Sequence, residues 1–295
     1  MRQPDEVAAL LRQPVLARVP RLSREQMKSP HLVTMEHPAD AVAEAFRLLR
    51  TNLAFMDVDG TAKSMLVTSS LQGEGKSVTV ANLAVTLALA GKKVIVVDAD
   101  LRRPRQHKLF DLQNEVGASN VAVGDADLVA TLQSVQVVSP DGSASQADFT
   151  SWASATGAVT RLWVLTSGPV PPNPGEIVAS RRFSRILGRL RDECDVLLVD
   201  SPAMLAVGDT AALASEVDGL IFLVDMEKAR RPVMQAAADQ LYRLPCAMMG
   251  IVVRSPAGSS RDKYYYTSHY RYSADAKPAA PAAGKGVAPS AGQSL

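Results

Sequence analysis

The chain has 295 residues, 47% of them hydrophobic and 21% charged, with 32 Lys and Arg against 30 Asp and Glu. This balance excludes a fibrous or wholly disordered protein and gives no bulk-charge argument for a nucleic-acid partner. Two cysteines, Cys194 and Cys246, exclude a disulfide framework, no apolar run approaches the roughly 18 residues of a membrane-spanning helix, and the charged residues Arg2, Asp5 and Glu6 do not suit a secretion signal.

In chain order, residues 1–38 read as a basic lead, with six Lys and Arg against three Asp and Glu in the first 30. Residues 39–254 read as the globular part. In it, apolar and β-branched runs at Met65–Thr68, Val94–Val97, Leu162–Leu165, Val196–Val199, Leu220–Val224 and Met248–Val253 predict strands covered on both faces. Helical stretches are expected at Lys76–Ala90, Glu176–Glu193, Asp209–Ser215 and Pro232–Arg243, the last opened by its proline. The alternation predicts a three-layer α/β domain with a mostly parallel sheet, and the phosphate loop described next makes it a P-loop NTPase fold. The Ser-, Ala- and Gly-rich stretch 133–160 breaks the rhythm and reads as a surface insertion. Residues 255–295, rich in Ser, Gly, Ala and Pro after the last strand, read as a disordered tail.

Ser69-Ser70-Leu71-Gln72-Gly73-Glu74-Gly75-Lys76-Ser77 follows a predicted strand and opens a predicted helix. That is the context of a phosphate-binding loop. Glycines let backbone N–H groups turn inward around an anion, and the helix start adds partial positive charge. Gly73, Glu74, Gly75, Lys76, Ser77 and Val78 are the expected nucleotide-binding residues. Lys76 reaches the β- and γ-phosphates and Ser77 ligates Mg²⁺. Ser70 stands where the usual pattern has its first glycine. Two apolar strands end in acid, at Asp98-Ala99-Asp100 and at Asp200. Ligands of an open parallel sheet gather at the carboxyl ends of its strands. Asp98, Asp100 and Asp200 are therefore expected to converge on Ser77, with Asp98 and Asp200 at the metal and Asp98 or Asp100 taking a hydroxyl proton.

Five of the six tyrosines, Tyr264, Tyr265, Tyr266, Tyr270 and Tyr272, fall within nine residues of the tail. Exposed tyrosines beside Arg261, Lys263 and Arg271 suit either base stacking or phosphate acceptance. A phosphate loop in the same chain favours acceptance and argues against a nucleic-acid role.

Together these residues resemble the bacterial protein-tyrosine kinases of capsule and exopolysaccharide synthesis, the BY-kinase family, over roughly residues 3–272. Gly73 to Ser77 is similar to the family's first phosphate motif. Val94 to Arg102 is similar to its apolar strand followed by Asp-x-Asp-x-Arg, and Val196 to Asp200 to its third motif. Glu44, Arg47 and Arg50 match a Glu-x-x-Arg-x-x-Arg oligomerisation motif and share one helix face by their spacing. Gly168 to Glu176 resembles a further hallmark. The resemblance implies ATP and Mg²⁺ as cofactors, a homo-oligomeric ring, and phosphorylation of each subunit's tyrosine tail in its neighbour's site. It also implies a transmembrane chain-length-determinant or activator protein, or a fused membrane segment missing from this chain, and a cytoplasmic place at the inner face of the membrane. The lead, with Arg2, Arg12 and Arg18, resembles the flank that follows a membrane helix. Departures are Arg254 where relatives often carry an asparagine near the nucleobase, and Ala203 for a proline after the third motif.

Two other functions share these motifs. One is an ATPase switch of the partition or septum-positioning class, but its loop carries lysine and glycine where this chain has Leu71 and Gln72. The other is a non-catalytic nucleotide-binding regulator of polysaccharide export, which Arg254 alone favours.

Overall fold

The computed structural model describes residues 1, 3–22, 32–56, 60–137 and 162–255. The tyrosine cluster, the tail and most of the stretch 133–160 lie outside the described residues.

The elements in chain order are α1 (Pro4–Leu11), β1 (Val15–Pro20), α2 (Val33–Glu36), α3 (Ala41–Met56), β2 (Ser64–Ser69), α4 (Lys76–Leu89), β3 (Val94–Asp98), α5 (Gln106–Leu109), α6 (Ala118–Val123), α7 (Leu128–Thr131), β4 (Gln133–Val135), β5 (Leu162–Leu165), α8 (Pro174–Val178), α9 (Arg181–Asp192), β6 (Val196–Asp200), α10 (Asp209–Ala214), β7 (Gly219–Asp225), α11 (Arg231–Leu241) and β8 (Ala247–Ser255). The strands form one sheet in the order β1-β8-β7-β2-β6-β3-β5-β4, and every pairing is parallel except β4 with β5.

All six predicted strands are present, and each residue of β2, β3, β5, β6 and β7 is buried. Continuous burial requires layers on both faces, which is why these strands read as unbroken apolar runs. Helix α4 is buried from Thr79 through Ala88 and so shows little amphipathic contrast. Helix α9 is the opposite case. Phe183, Ile186, Leu187 and Leu190 form its buried stripe and arginines cover the rest. The single helix expected over Glu176–Glu193 is two. Ser180 adopts an extended backbone and its Oγ accepts a hydrogen bond from Phe183 N, which starts α9 afresh.

The stretch 1–38 contributes to the sheet. Strand β1 pairs with β8 in parallel, Leu16 is 2% exposed, and Asn52 of α3 donates its Nδ2 to the Leu16 carbonyl at 2.6 Å. Leu16 and Ala17, neighbours that face opposite sides of the sheet, are both buried, but the strand is short and the basic residues in and around it mask it in the sequence. Within 133–160, residues 133–135 are strand β4, whose three residues pair antiparallel with β5.

In strand order, β6 and β3 lie on one side of β2, and β7 and β8 on the other. The chain therefore reverses its winding direction around β2. The loops leaving the carboxyl ends of β2, β3 and β6 meet at that crevice.

Leu16→Ala should cost about 2–4 kcal/mol of unfolding free energy, as for a buried leucine. Urea denaturation measures it. A change within about 0.5 kcal/mol, as at an exposed site, would show that the N-terminal strand contributes nothing to the folded unit.

Candidate active site

Strand β2 runs straight into the phosphate loop, and α4 starts at Lys76. Two glycines make the bend: Gly73 has φ 72° and Gly75 φ 102°, both in the left-handed region. A Cβ on Gly75 would also collide with Arg254 Nη1. Ser70, in place of the usual first glycine, is fully buried, and its carbonyl accepts from Leu205 N at 3.3 Å. Glu74 turns back into the loop, where its Oε2 accepts from Leu71 N at 2.7 Å. It is fully buried, and that burial raises its carboxyl above the ordinary range. Glu74 thus shapes the loop from within.

The parallel register of β3 and β6 sets Asp98 opposite Asp200. Both are completely buried. Asp98 Oδ2 accepts from Arg105 N and Gln106 N, each at 2.9 Å, at the start of α5. Asp200 Oδ2 accepts from Gln106 Nε2 at 2.8 Å, and the nearby Ser77 side chain favours the ionised form of Asp200. The remaining oxygen of each, Oδ1, is buried without a hydrogen-bond partner. Burial drives both carboxyls upward. Asp200 is pushed up to about 6 and Asp98 well above its usual value, where the Asp200 charge adds to the effect.

Two orphaned carboxylate oxygens beside a serine hydroxyl fit a hard divalent cation that prefers oxygen. Among the described residues no group of three or more His, Cys, Asp or Glu could hold a metal ion. Two carboxylates and a hydroxyl would suit Mg²⁺, which is usually bound through one or two carboxylates together with waters and substrate phosphates.

Asp100 is half-buried, with Oδ1 accepting from Arg103 N at 3.1 Å. Burial raises it, against the attraction of Lys76. It lines a cavity of about 230 Å³ with Gly73, Gly75, Lys76, Ser77, Val78, Arg103 and Arg105. Larger cavities of about 380 and 570 Å³ are lined by neither Lys76 nor Asp100. Chemistry rather than volume identifies the site. Arg254 Nη1 donates to the Glu74 carbonyl at 2.9 Å and Nη2 lies 3.5 Å from Asp225. Its guanidinium is thus held against the loop. It also borders a small cavity of about 80 Å³ with Phe46, Val78 and Thr79.

The structure brings Lys76, Ser77, Asp98, Asp100 and Asp200 together. Glu44 and Arg47 pair with each other on α3 at 2.6 Å, and Arg50 donates to the Thr86 carbonyl of α4 at 3.2 Å. Sequence reasoning missed Gln106. Its amide bridges the Ser77 carbonyl at 3.2 Å and Asp200. No motif spacing flags it, because the bridge exists only once α5 docks. Arg102, in the Asp-x-Asp-x-Arg run, forks onto Asp209 at 2.8 and 3.1 Å and sits against Gly175. It thereby ties the second motif to the first turn of α8.

The CobQ/CobB/MinD/ParA nucleotide binding domain family matches residues 65–261. The chain is 31% identical over 246 residues to the tyrosine-protein kinase YwqD of Bacillus subtilis, covering 83% of this chain and 94% of that one. It is 31% identical over 194 residues to the tyrosine-protein kinase Etk of Escherichia coli K12, covering 66% of this chain and 24% of that longer one. The structure of the Escherichia coli ETK kinase domain superposes with a TM-score of 0.74 at 25% identity, covering 88% of this chain and 96% of that one.

A carboxyl whose folded pKa is raised contributes stability below its unfolded value and loses it as pH rises through the folded value. Asp200 titrates from an ordinary 3.8 to about 6, so without metal its burial becomes a growing cost between those values. Asp200→Asn should therefore gain stability over the unsubstituted chain on going from pH 5 to pH 8 in chelator, by about 1.4 kcal/mol, the worth of the one unit between pH 5 and the folded value. Denaturation at the two pH values measures the difference. An unchanged difference would mean that Asp200 is not held in this way.

Proposed function

We propose a mechanism for a chain that belongs to the bacterial protein-tyrosine kinase (BY-kinase) family, within the CobQ/CobB/MinD/ParA nucleotide-binding domains. The chain is a protein-tyrosine kinase, and it acts by passing the γ-phosphoryl group of ATP to a tyrosine hydroxyl. The observation that carries this mechanism is the pair Asp98 and Asp200, side by side in register, with two orphaned oxygens beneath the Lys76–Ser77 turn.

The N–H groups of the phosphate loop and the start of α4 receive the phosphates. Ser77 and Asp200, with Asp98, would hold Mg²⁺, which when bound would supply positive charge to offset that of the phosphates. Lys76 neutralises charge that develops on the transferring group. Both hydrogen-bonded contacts of Asp98 Oδ2 are already made by α5. Asp100 lines the open cavity instead, so Asp100 is the group that meets the tyrosine. The phenolic oxygen forms the new bond to phosphorus as the bond to the leaving ADP oxygen breaks, and the phenolic proton passes to Asp100. Phenol has a pKa of about 10, so the carboxylate accepts that proton only as transfer proceeds. Arg254 and the small cavity beside it lie on the nucleobase side.

The acceptors are Tyr264, Tyr265, Tyr266, Tyr270 and Tyr272, presented in trans within a ring whose contacts use Glu44, Arg47 and Arg50. A transmembrane activator, separate or fused, would hold the chain at the inner face of the membrane, where it regulates capsule or exopolysaccharide synthesis and export. These assignments rest on the family resemblance. Among the described residues no helix is long and apolar enough to cross a membrane.

Intact-mass analysis before and after Mg·ATP should show successive phosphoryl additions that map to residues 264–272. Lys76→Met should abolish them. Phosphotyrosine persisting in that variant would remove Lys76 from the mechanism, and rapid ATP hydrolysis without phosphotyrosine would favour the nucleotide switch.

A further inference from the structure

A backbone that turns successive N–H groups inward toward an anion must turn the matching carbonyls outward. In this loop the outward carbonyls of Gln72, Gly73 and Glu74 are each met by a cation. Lys228 Nζ donates to Gln72 O and Gly73 O, both at 2.9 Å. Arg254 Nη1 donates to Glu74 O at 2.9 Å. The three carbonyls belong to the same peptide units as the N–H groups of Gly73, Glu74 and Gly75. A cation on a peptide oxygen polarises the unit and strengthens its N–H as a donor.

The two cations come from one place. Arg254 is near the end of β8, and Lys228 follows β7, which pairs with β8. Asp225 at the end of β7 is 1% exposed and sits 3.5 Å from Arg254 Nη2 and 2.8 Å from Arg21 Nη2. Its carbonyl accepts from Lys228 N at 2.9 Å, and its Oδ1 from Glu227 N at 3.1 Å. The turn that carries Lys228 is therefore pinned to the same buried acid that orients Arg254.

We propose that Lys228 is a positioning residue for nucleotide phosphate, which acts with Arg254 by clamping the outward carbonyls of residues 72–74 so that their peptide N–H groups stay aimed at the anion. Neither cation lines the cavity beside Lys76 and Ser77. The inference rests on the nucleotide-binding reading of the loop and deepens it. It also gives Arg254 a role toward the loop backbone that is independent of the nucleobase.

Lys228 is exposed at its contact with the loop, so its replacement leaves the core intact. The test uses the whole chain, Mg·ADP and calorimetric titration. Lys228→Met should weaken ADP binding roughly three- to tenfold, the range for an exposed hydrogen bond from a charged donor. Lys228→Arg, which keeps a cationic donor, should retain most of the affinity. The thermal midpoint without nucleotide should be unchanged in both. Unchanged ADP affinity in Lys228→Met overturns the proposal. So does an arginine variant as weak as the methionine one, or a loss that appears only alongside a lowered midpoint. Normal ADP binding without phosphoryl transfer would count against the kinase mechanism and leave the clamp standing.

Discussion

Two carboxylates buried side by side dominate the energetics of this molecule. Parallel pairing of β3 with β6 sets Asp98 opposite Asp200, and both are completely buried. Desolvation and mutual repulsion both oppose ionisation there. The protein relieves only half of each group. Backbone N–H groups of α5 and the Gln106 amide take the Oδ2 atoms, and the Oδ1 atoms are left without a partner. Under the proposed mechanism a cation would meet those oxygens. The stability lost to buried charge would then be recovered on binding, coupling folding to occupancy of the site.

The phosphate loop faces that pair with the opposite problem. It must present unpaired donors to an anion without collapsing onto its own carbonyls. Glu74 braces the loop from inside through Leu71 N, and the β7–β8 edge braces it from outside through Lys228 and Arg254. Residues distant in sequence thus converge on nine residues of loop. The strand order that puts β7 next to β2 is what brings the outer brace within reach. On the other flank, β6 and β3 bring the acids. The switch in winding direction at β2 is the reason both sets arrive at one end of the sheet.

The central strands were legible because both their faces are covered, which makes them uniformly apolar. The loop was legible because glycine and lysine spacing reflects local backbone geometry. Strand β1 was hidden by its short length and by the basic residues in and around it. The break between α8 and α9 was hidden because Ser180 continues a helical pattern by composition and interrupts it only through its own hydroxyl. Gln106 and Lys228 carried no signal at all. An amide or a lysine is ordinary on any surface, and each acquires a role only from what the fold sets beside it.

From the order of its residues alone, this chain could be assigned a parallel α/β sheet, a phosphate loop and acidic strand ends, because hydrophobic periodicity and short motifs are properties of neighbours along the chain. Tertiary structure alone decided which oxygens of those acids remain unpartnered, which carboxylate faces the open cavity, and which cations hold the loop from outside. Those features depend on strand register and on contacts across 94, 156 and 180 residues, and no local pattern encodes a distance between residues so far apart.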